Sequence, residues 1–171
     1  MKKICACIFL IALGGILILF SGQTPLNNEY LRIHIRANSN LAVDQAVKYQ
    51  VKDQVVDFMI PLLSTCETLE ESKQVVSQNL SAIEKVAESV LAQNGFTYQA
   101  TAEIKNEEFP TRSYGDLTLE SGFYDALILN LGSGSGDNWW CVVYPPLCFV
   151  NGGASVNVFK SRILEIINAI L

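Results

Sequence analysis

The stretch Leu31-Arg32-Ile33-His34-Ile35-Arg36 is followed by the polar break Ala37-Asn38-Ser39-Asn40. Apolar and polar side chains alternate in the first stretch, which predicts a half-buried strand. From Val43 to about Pro61 the apolar residues recur every three or four positions, which predicts a helix. The chain thus contains both the alternation typical of a strand and the three-to-four-residue period typical of a helix. This combination indicates an α/β or α+β domain.

The polar break is expected to start the helix. Ser39 or Asn40 can supply the side-chain oxygen that caps the first free backbone amides. Asp44 then falls in the first turn, where the helix dipole favours an acid, and Lys48 follows four residues later. We therefore expect Asp44 and Lys48 on the exposed face of this helix.

A second helix is predicted over residues 69–93. Thr68 and Glu71 have the spacing of a capping box at its start, and Asn94-Gly95 is a typical helix end. The charged residues 103–108 indicate a loop or a strand end after it. The other predicted elements are strands at residues 97–104, 111–119 and 123–131, a strand from Asn138, and a C-terminal amphipathic helix at residues 156–171.

The run Gly132-Ser133-Gly134-Ser135-Gly136-Asp137 lies between two β-prone segments, so it is predicted to be the flexible tip of a hairpin. A phosphate-binding loop would instead lead into a helix and carry a lysine, and neither follows here. We expect an antiparallel or mixed sheet with helices packed on one face.

The N-terminus indicates export. Lys2 and Lys3 precede an uninterrupted apolar run over residues 4–20, and no A-x-A cleavage site follows it. A cleaved signal peptide and an uncleaved membrane anchor both fit residues 1–22. Residues 23–29 then form a polar spacer, and residues 30–171 a single secreted domain.

The charge of the exported part is acidic. The whole chain has 12 basic and 17 acidic residues, a net charge of −5. Without Lys2 and Lys3 the balance is 10 against 17, or −7. Nucleic acids and anionic membrane surfaces demand clustered positive charge, so this balance argues against both as partners.

The segment from Asn138 to Phe149 contains both tryptophans and two of the five cysteines of the chain. In an oxidising compartment Cys141 and Cys148 are the natural disulfide, although a bridge from Cys66 to one of them stays open. Trp139 and Trp140 point to opposite faces of a strand. Core packing, a partner-binding anchor and sugar stacking are the three uses that such a pair suggests.

His34 is the only histidine, and it raises the alternative of a secreted Cys–His cell-wall hydrolase. That enzyme would need His34 beside Cys66, Cys141 or Cys148, with an orienting residue such as Asn38. A strand histidine hydrogen-bonded to a neighbour is the simpler interpretation. No cluster has zinc spacing, so no metal and no cofactor are predicted.

Two blocks of the sequence together resemble the stage II sporulation protein R family of endospore-forming bacteria. The first block is Leu31-Arg32-Ile33-His34-Ile35-Arg36-Ala37-Asn38-Ser39-Asn40 with Asp44-Gln45, Lys48 and Val51-Lys52-Asp53. The second block is Phe109-Pro110-Thr111-Arg112-Ser113-Tyr114-Gly115, Gly122-Phe123-Tyr124-Asp125-Ala126-Leu127 and Asn138-Trp139-Trp140-Cys141 through Tyr144-Pro145-Pro146-Leu147-Cys148-Phe149.

The resemblance implies signalling rather than catalysis. Members of the family are secreted from the forespore into the space between the two sporulation membranes. There they activate a membrane-embedded aspartic-type protease, which cleaves the precursor of a mother-cell sigma factor. On this basis no catalytic residue is expected, and the predicted partner-binding residues are Arg32, His34, Arg36, Asn38, Trp139 and Trp140.

Overall fold

The computed structural model describes residues 29–115 and 117–149. In chain order the elements of this part are β1 (Leu31–Arg36), α1 (Ala42–Leu63), α2 (Leu69–Gln78), α3 (Leu80–Gln93), β2 (Ala100–Phe109), β3 (Arg112–Tyr114), β4 (Leu117–Leu119), β5 (Gly122–Leu131), β6 (Asn138–Tyr144) and a 3₁₀ turn (Leu147–Phe149). Within it, no helix is both long and apolar enough to cross a bilayer. The predicted signal or anchor at residues 1–22 and the predicted C-terminal helix at residues 156–171 lie outside the described residues.

Strand β1 lies inside a four-stranded sheet whose order is β2-β5-β1-β6. It runs parallel to β5 and antiparallel to β6, while β2 is antiparallel to β5. Strands β3 and β4 form a separate hairpin. The sheet is therefore mixed, and its helices pack on one face, which confirms the α+β form of the predicted fold.

The predicted hairpin between β5 and β6 is wrong. Both strands pair with β1, which lies between them, so residues 132–137 cross the C-terminal end of β1. In that crossing the Gly136 amide donates to the carbonyl oxygen of Ala37 at 2.8 Å. Sequence neighbours joined by a Gly-Ser run usually pair with each other, but here each of the two strands pairs with β1 instead.

Both faces of β1 are covered, so the predicted half-buried strand is also wrong. Leu31, Ile33 and Ile35 pack under the helices, and each is fully buried. On the opposite face Arg32 and His34 are only 0% and 5% exposed. The apolar residues that cover that second face are Phe109, Leu119, Tyr124, Ala126, Ile128 and Val142.

The start of α1 differs from the prediction. Its N-cap is Leu41, whose side chain makes no capping hydrogen bond, so Ser39 and Asn40 do not cap this helix. Asp44 and Lys48 are buried rather than exposed, at 3% and 1%. Only one side of the helix start is solvated: Leu41 and Val43 are exposed, whereas Asp44 accepts a hydrogen bond from Tyr98 and Lys48 donates one to the carbonyl oxygen of Asp137.

The second predicted helix is broken at Asn79, between α2 and α3. The Asn79 amide group donates to the carbonyl oxygen of Val75 at 2.8 Å, a local bond that competes with continued helix. The predicted capping residue is confirmed, since the Glu71 amide donates to Thr68 Oγ1 at 3.2 Å. Residues 103–108 are neither a loop nor a strand end, because β2 continues through them to Phe109.

Two valines of α1 test the assigned core. Val51 is fully buried, whereas Val43 is 60% exposed. We expect Val51→Ala to lower the free energy of unfolding by about 2 kcal/mol, because it removes buried methyl groups and leaves a cavity. Val43→Ala should change the free energy of unfolding by less than about 0.5 kcal/mol. Urea titrations of both variants measure the two values. Equal losses would contradict the assigned orientation of α1.

Candidate functional site

Two neighbouring polar systems extend from β1. We call the first the β1 polar face; it consists of Arg32, His34 and Arg36 with the side chains that contact them. We call the second the loop junction; it joins the segment after β1 to residues 132–137. Both contain residues that the sequence analysis assigned to partner binding, so each is described from its contacts.

Arg32 is an arginine held mainly by aromatic rings. Its guanidinium carbon lies 4.2 Å from the ring centre of Phe109 and 4.7 Å from that of Tyr124. Its Nη2 donates to the Tyr114 hydroxyl at 2.7 Å, whereas Nε and Nη1 have no hydrogen-bond partner in the described part of the chain. Cation–π attraction therefore replaces much of the hydration that this charge lost on burial.

His34 lies between two rings and one carboxylate. Its ring stacks on Trp140 at 5.3 Å and meets the edge of Phe109 at 5.8 Å. Its Nδ1 is 3.1 Å from Oε2 of Glu107, and the other oxygen of that carboxylate pairs with Arg36. One acid of β2 thus fixes two side chains of β1, and the predicted histidine with a hydrogen-bonded neighbour is confirmed.

The two tryptophans lie on opposite faces of the sheet, as predicted from their alternation. Trp139 packs partly against the core under the helices, with the Lys52 ammonium 5.7 Å from its ring. Trp140 packs against the second face, with the Arg112 guanidinium 4.5 Å from its ring. Each tryptophan is partly buried, so each contributes to the core and also reaches the surface.

Asp44 is the centre of the loop junction. Its carboxylate accepts hydrogen bonds from Ser39 Oγ, from Asn38 Nδ2 at 3.0 Å and from the Tyr98 hydroxyl at 2.8 Å. Burial raises the pKa of Asp44, but these three hydrogen bonds outweigh it and hold the pKa below its usual value. The pKa of Tyr98 is raised, first by burial and then by its bond to Asp44.

The loop between β5 and β6 closes the junction from the other side. The hydroxyls of Ser133 and Ser135 both donate to the carbonyl oxygen of Asn38, at 2.6 and 2.9 Å. A Cβ on Gly136 would lie 2.3 Å from the carbonyl oxygen of Ser39, so only glycine fits there. The run predicted to be a hairpin tip is therefore bonded to the segment after β1, because Ser133 and Ser135 donate hydrogen bonds to that segment and Gly136 allows the two backbones to approach closely.

The structure places the six predicted partner-binding residues at different depths. Arg32 and His34 are buried, while Arg36, Asn38, Trp139 and Trp140 are partly exposed. Their role in partner binding stays a prediction. Sequence reasoning missed the residues that hold them, chiefly Glu107, Phe109, Tyr114, Tyr124 and Arg112. One sequence signal was available for two of these residues. If the strand predicted at residues 97–104 continues, Glu107 and Phe109 lie on the same face of it.

The cysteines lie on the other side of the sheet from His34. Cys141 and Cys148 are joined as a disulfide in the structure, with their Cα atoms 5.9 Å apart. Cys66 is free and buried, and burial, followed by the nearby Glu71 charge, raises the pKa of its thiol. All three belong to or pack against the core under the helices. A Cys–His pair is thus not assembled within the described chain.

Among the described side chains, no group of three or more His, Cys, Asp or Glu residues is placed to hold a metal ion.

Comparison with known proteins adds the family. Residues 27–154 match the sequence profile of the family described as Stage II sporulation protein R (spore_II_R). The chain belongs to the stage II sporulation protein R family. It is 31% identical over 163 residues to Stage II sporulation protein R of Bacillus subtilis (strain 168), an alignment that covers 88% of this chain and 73% of that protein. No solved structure matches the chain.

The matched range of the stage II sporulation protein R family includes both polar systems and the disulfide. The resemblance inferred from the two sequence blocks is thereby confirmed. It also places this chain in sporulation, which neither polar system would have indicated alone.

The loop junction generates a prediction about pH. The pKa of Asp44 is lower in the folded protein than in the unfolded chain. Its ionised carboxylate therefore contributes to the free energy of unfolding at pH values above the unfolded-state pKa of about 3.9, and this contribution is lost as the pH falls through the folded-state pKa. We expect Asp44→Asn to cost about 1–3 kcal/mol of unfolding free energy at pH 7 and progressively less below pH 4.

Urea titrations between pH 7 and pH 2.5 would measure this difference. Asp57→Asn is the matched control, since Asp57 is exposed on the same helix, and it should change stability by less than about 0.5 kcal/mol. A cost of Asp44→Asn that is constant over the whole pH range would contradict the assigned hydrogen bonds to the carboxylate.

Proposed function

We propose that this chain is an exported sporulation signal that activates a membrane-embedded aspartic-type protease. The activated protease then cleaves the precursor of a mother-cell sigma factor. In this proposal the chain is made in the forespore, acts in the space between the two sporulation membranes and is not itself an enzyme. Membership of the stage II sporulation protein R family is the observation that carries the proposal.

The polar groups of the domain support a binding role. His34 is stacked on Trp140 and bonded to Glu107, which also pairs with Arg36. General acid–base catalysis needs a group within reach of a substrate proton, and these side chains are instead engaged with one another. The hydrolase alternative also needs a thiol beside His34, whereas Cys66 and Cys141 pack on the opposite face.

Export is supported by two features that are independent of the family. The basic start and apolar run of residues 2–20 are those of a secretion signal. The disulfide between Cys141 and Cys148 suits an oxidising compartment outside the cytoplasm.

Among the predicted partner-binding residues, the two depths suggest two roles. Arg36, Asn38, Trp139 and Trp140 reach the surface and are the proposed contacts. Arg32 and His34 are buried beneath them and would act by positioning. A variant of Arg36, which lies outside the loop junction and is partly exposed, should therefore lose activation while keeping the fold, whereas a variant of Arg32 should affect both.

Co-expression in a non-sporulating host tests the proposed function. The full chain, the membrane protease and the sigma-factor precursor are produced together, and precursor cleavage is followed by immunoblotting. We expect cleavage only when all three are present. A chain without residues 1–22 is the matched control, because it retains the described domain but lacks the export signal, and it should give no cleavage.

Cleavage that proceeds equally without the chain would overturn the proposal. Cleavage by the chain and precursor without the protease would also overturn it, because the chain would then be an enzyme.

A further inference from the structure

The two edges of the four-stranded sheet are protected to different degrees. Strand β2 forms one edge and β6 the other. An edge strand presents unpaired backbone amides and carbonyls, and proteins usually cover or charge such an edge. Strand β2 follows this rule. Its exposed side chains include Glu103, Lys105 and Glu108, and Glu84 accepts a hydrogen bond from the backbone amide of Ala102 at 2.8 Å.

Strand β6 lacks this protection within residues 29–115 and 117–149. It contains no charged residue from Asn138 to Tyr144, and no strand of the described chain lies along its outer edge. The 3₁₀ turn covers its second half, where Sγ of Cys148 lies 2.8 Å from the carbonyl oxygen of Val142. Among the described residues, nothing pairs with the outer side of residues 138–141; we call this stretch, which includes the partly exposed Trp139 and Trp140, the open edge.

A cation flanks the open edge on each face. On the second face, the exposed Arg112 lies over Trp140 and makes no ion pair within the described residues. On the helix face, Lys52 lies near Trp139 and pairs with the largely exposed Asp53. A strand added to β6 would direct alternate side chains to these two cations and these two rings.

We propose that the open edge of β6 is the surface that captures the protease, by pairing with an extended segment of that partner. The segment would lie outside the membrane and would carry acidic side chains next to aromatic or aliphatic ones. Main-chain hydrogen bonds supply affinity in this mode of recognition, and the flanking side chains supply specificity. This inference rests on the proposed function, because it names the surface through which that function operates.

Charge favours this occupant over two others. The chain's own residues 150–171 carry Lys160, Arg162 and Glu165, a net charge of +1, which does not complement Arg112 and Lys52. A second copy paired antiparallel through β6 would bring its own Arg112 to the same face as the first, and like charges that face each other disfavour pairing. An acidic segment meets neither objection.

Site-specific photo-cross-linking in the co-expression host tests the inference. A benzoylphenylalanine is placed at Asn138 on the β6 edge, or at Lys105 on the β2 edge as the matched control; both positions are exposed. We expect cross-links to the protease from position 138 and none from position 105. Mass spectrometry should locate them in an extended acidic segment outside the membrane.

A charge reversal gives a second measurement. Arg112→Glu should slow precursor cleavage about tenfold, equivalent to about 1.4 kcal/mol, while Lys105→Glu should leave the rate within about twofold. The thermal unfolding midpoint of both full-length variants is measured as well. A slower cleavage by Arg112→Glu supports the inference only if its midpoint equals that of Lys105→Glu. Equal cleavage rates for the two variants would contradict the inference.

The outcomes separate this inference from the function on which it rests. Precursor cleavage with cross-links from position 105 instead of 138 would overturn the β6 edge and leave the activation of the protease intact. Cross-links from position 138 to a second copy, or to residues 150–171 of the same chain, would overturn it as well. If the unsubstituted chain produced no cleavage at all, the proposed function and the inference would both be abandoned.

Discussion

The buried guanidinium of Arg32 is the constraint on which the arrangement around β1 depends. An unpaired charge in a protein interior costs several kcal/mol unless other groups replace its hydration. Here Phe109 and Tyr124 supply ring faces, and the Tyr114 hydroxyl accepts a hydrogen bond. These groups come from β2, β5 and β3, so enclosing Arg32 determines where β2 ends and how the β3–β4 hairpin folds onto the sheet.

A second buried charge has the same effect at the end of β1. Asp44 can remain ionised because Ser39, Asn38 and Tyr98 donate hydrogen bonds to it. Those bonds hold the segment after β1 in place, and the loop from β5 then crosses above it with Gly136 in close contact. Polar groups rather than apolar packing thus stabilise the C-terminal end of β1, where this strand lies between β5 and β6.

The sequence predicted what depends on local pattern and missed what depends on distant partners. The first strand, the capping residue Thr68 and the opposite faces of the tryptophans all follow from periods of a few residues. Residues 103–108 were predicted to be a loop or a strand end, because nothing local showed that Glu107 reaches His34 and Arg36 across 73 and 71 positions. Asp44 was predicted to lie on an exposed face for the same reason, since its partner Tyr98 lies 54 positions away.

Three polar residues among those that carry the family resemblance have a structural role. Arg32, His34 and Asp44 are buried, and each fixes another segment instead of meeting solvent. A buried residue acts on a partner only through the exposed residues that it positions. Trp140 is the clearest case, because His34 and Arg112 both contact its ring. An aromatic side chain that is already fixed loses little conformational freedom on binding. In the proposed interface, a Trp140 ring fixed by the ordered interior would lower the entropic cost of binding a partner at the open edge.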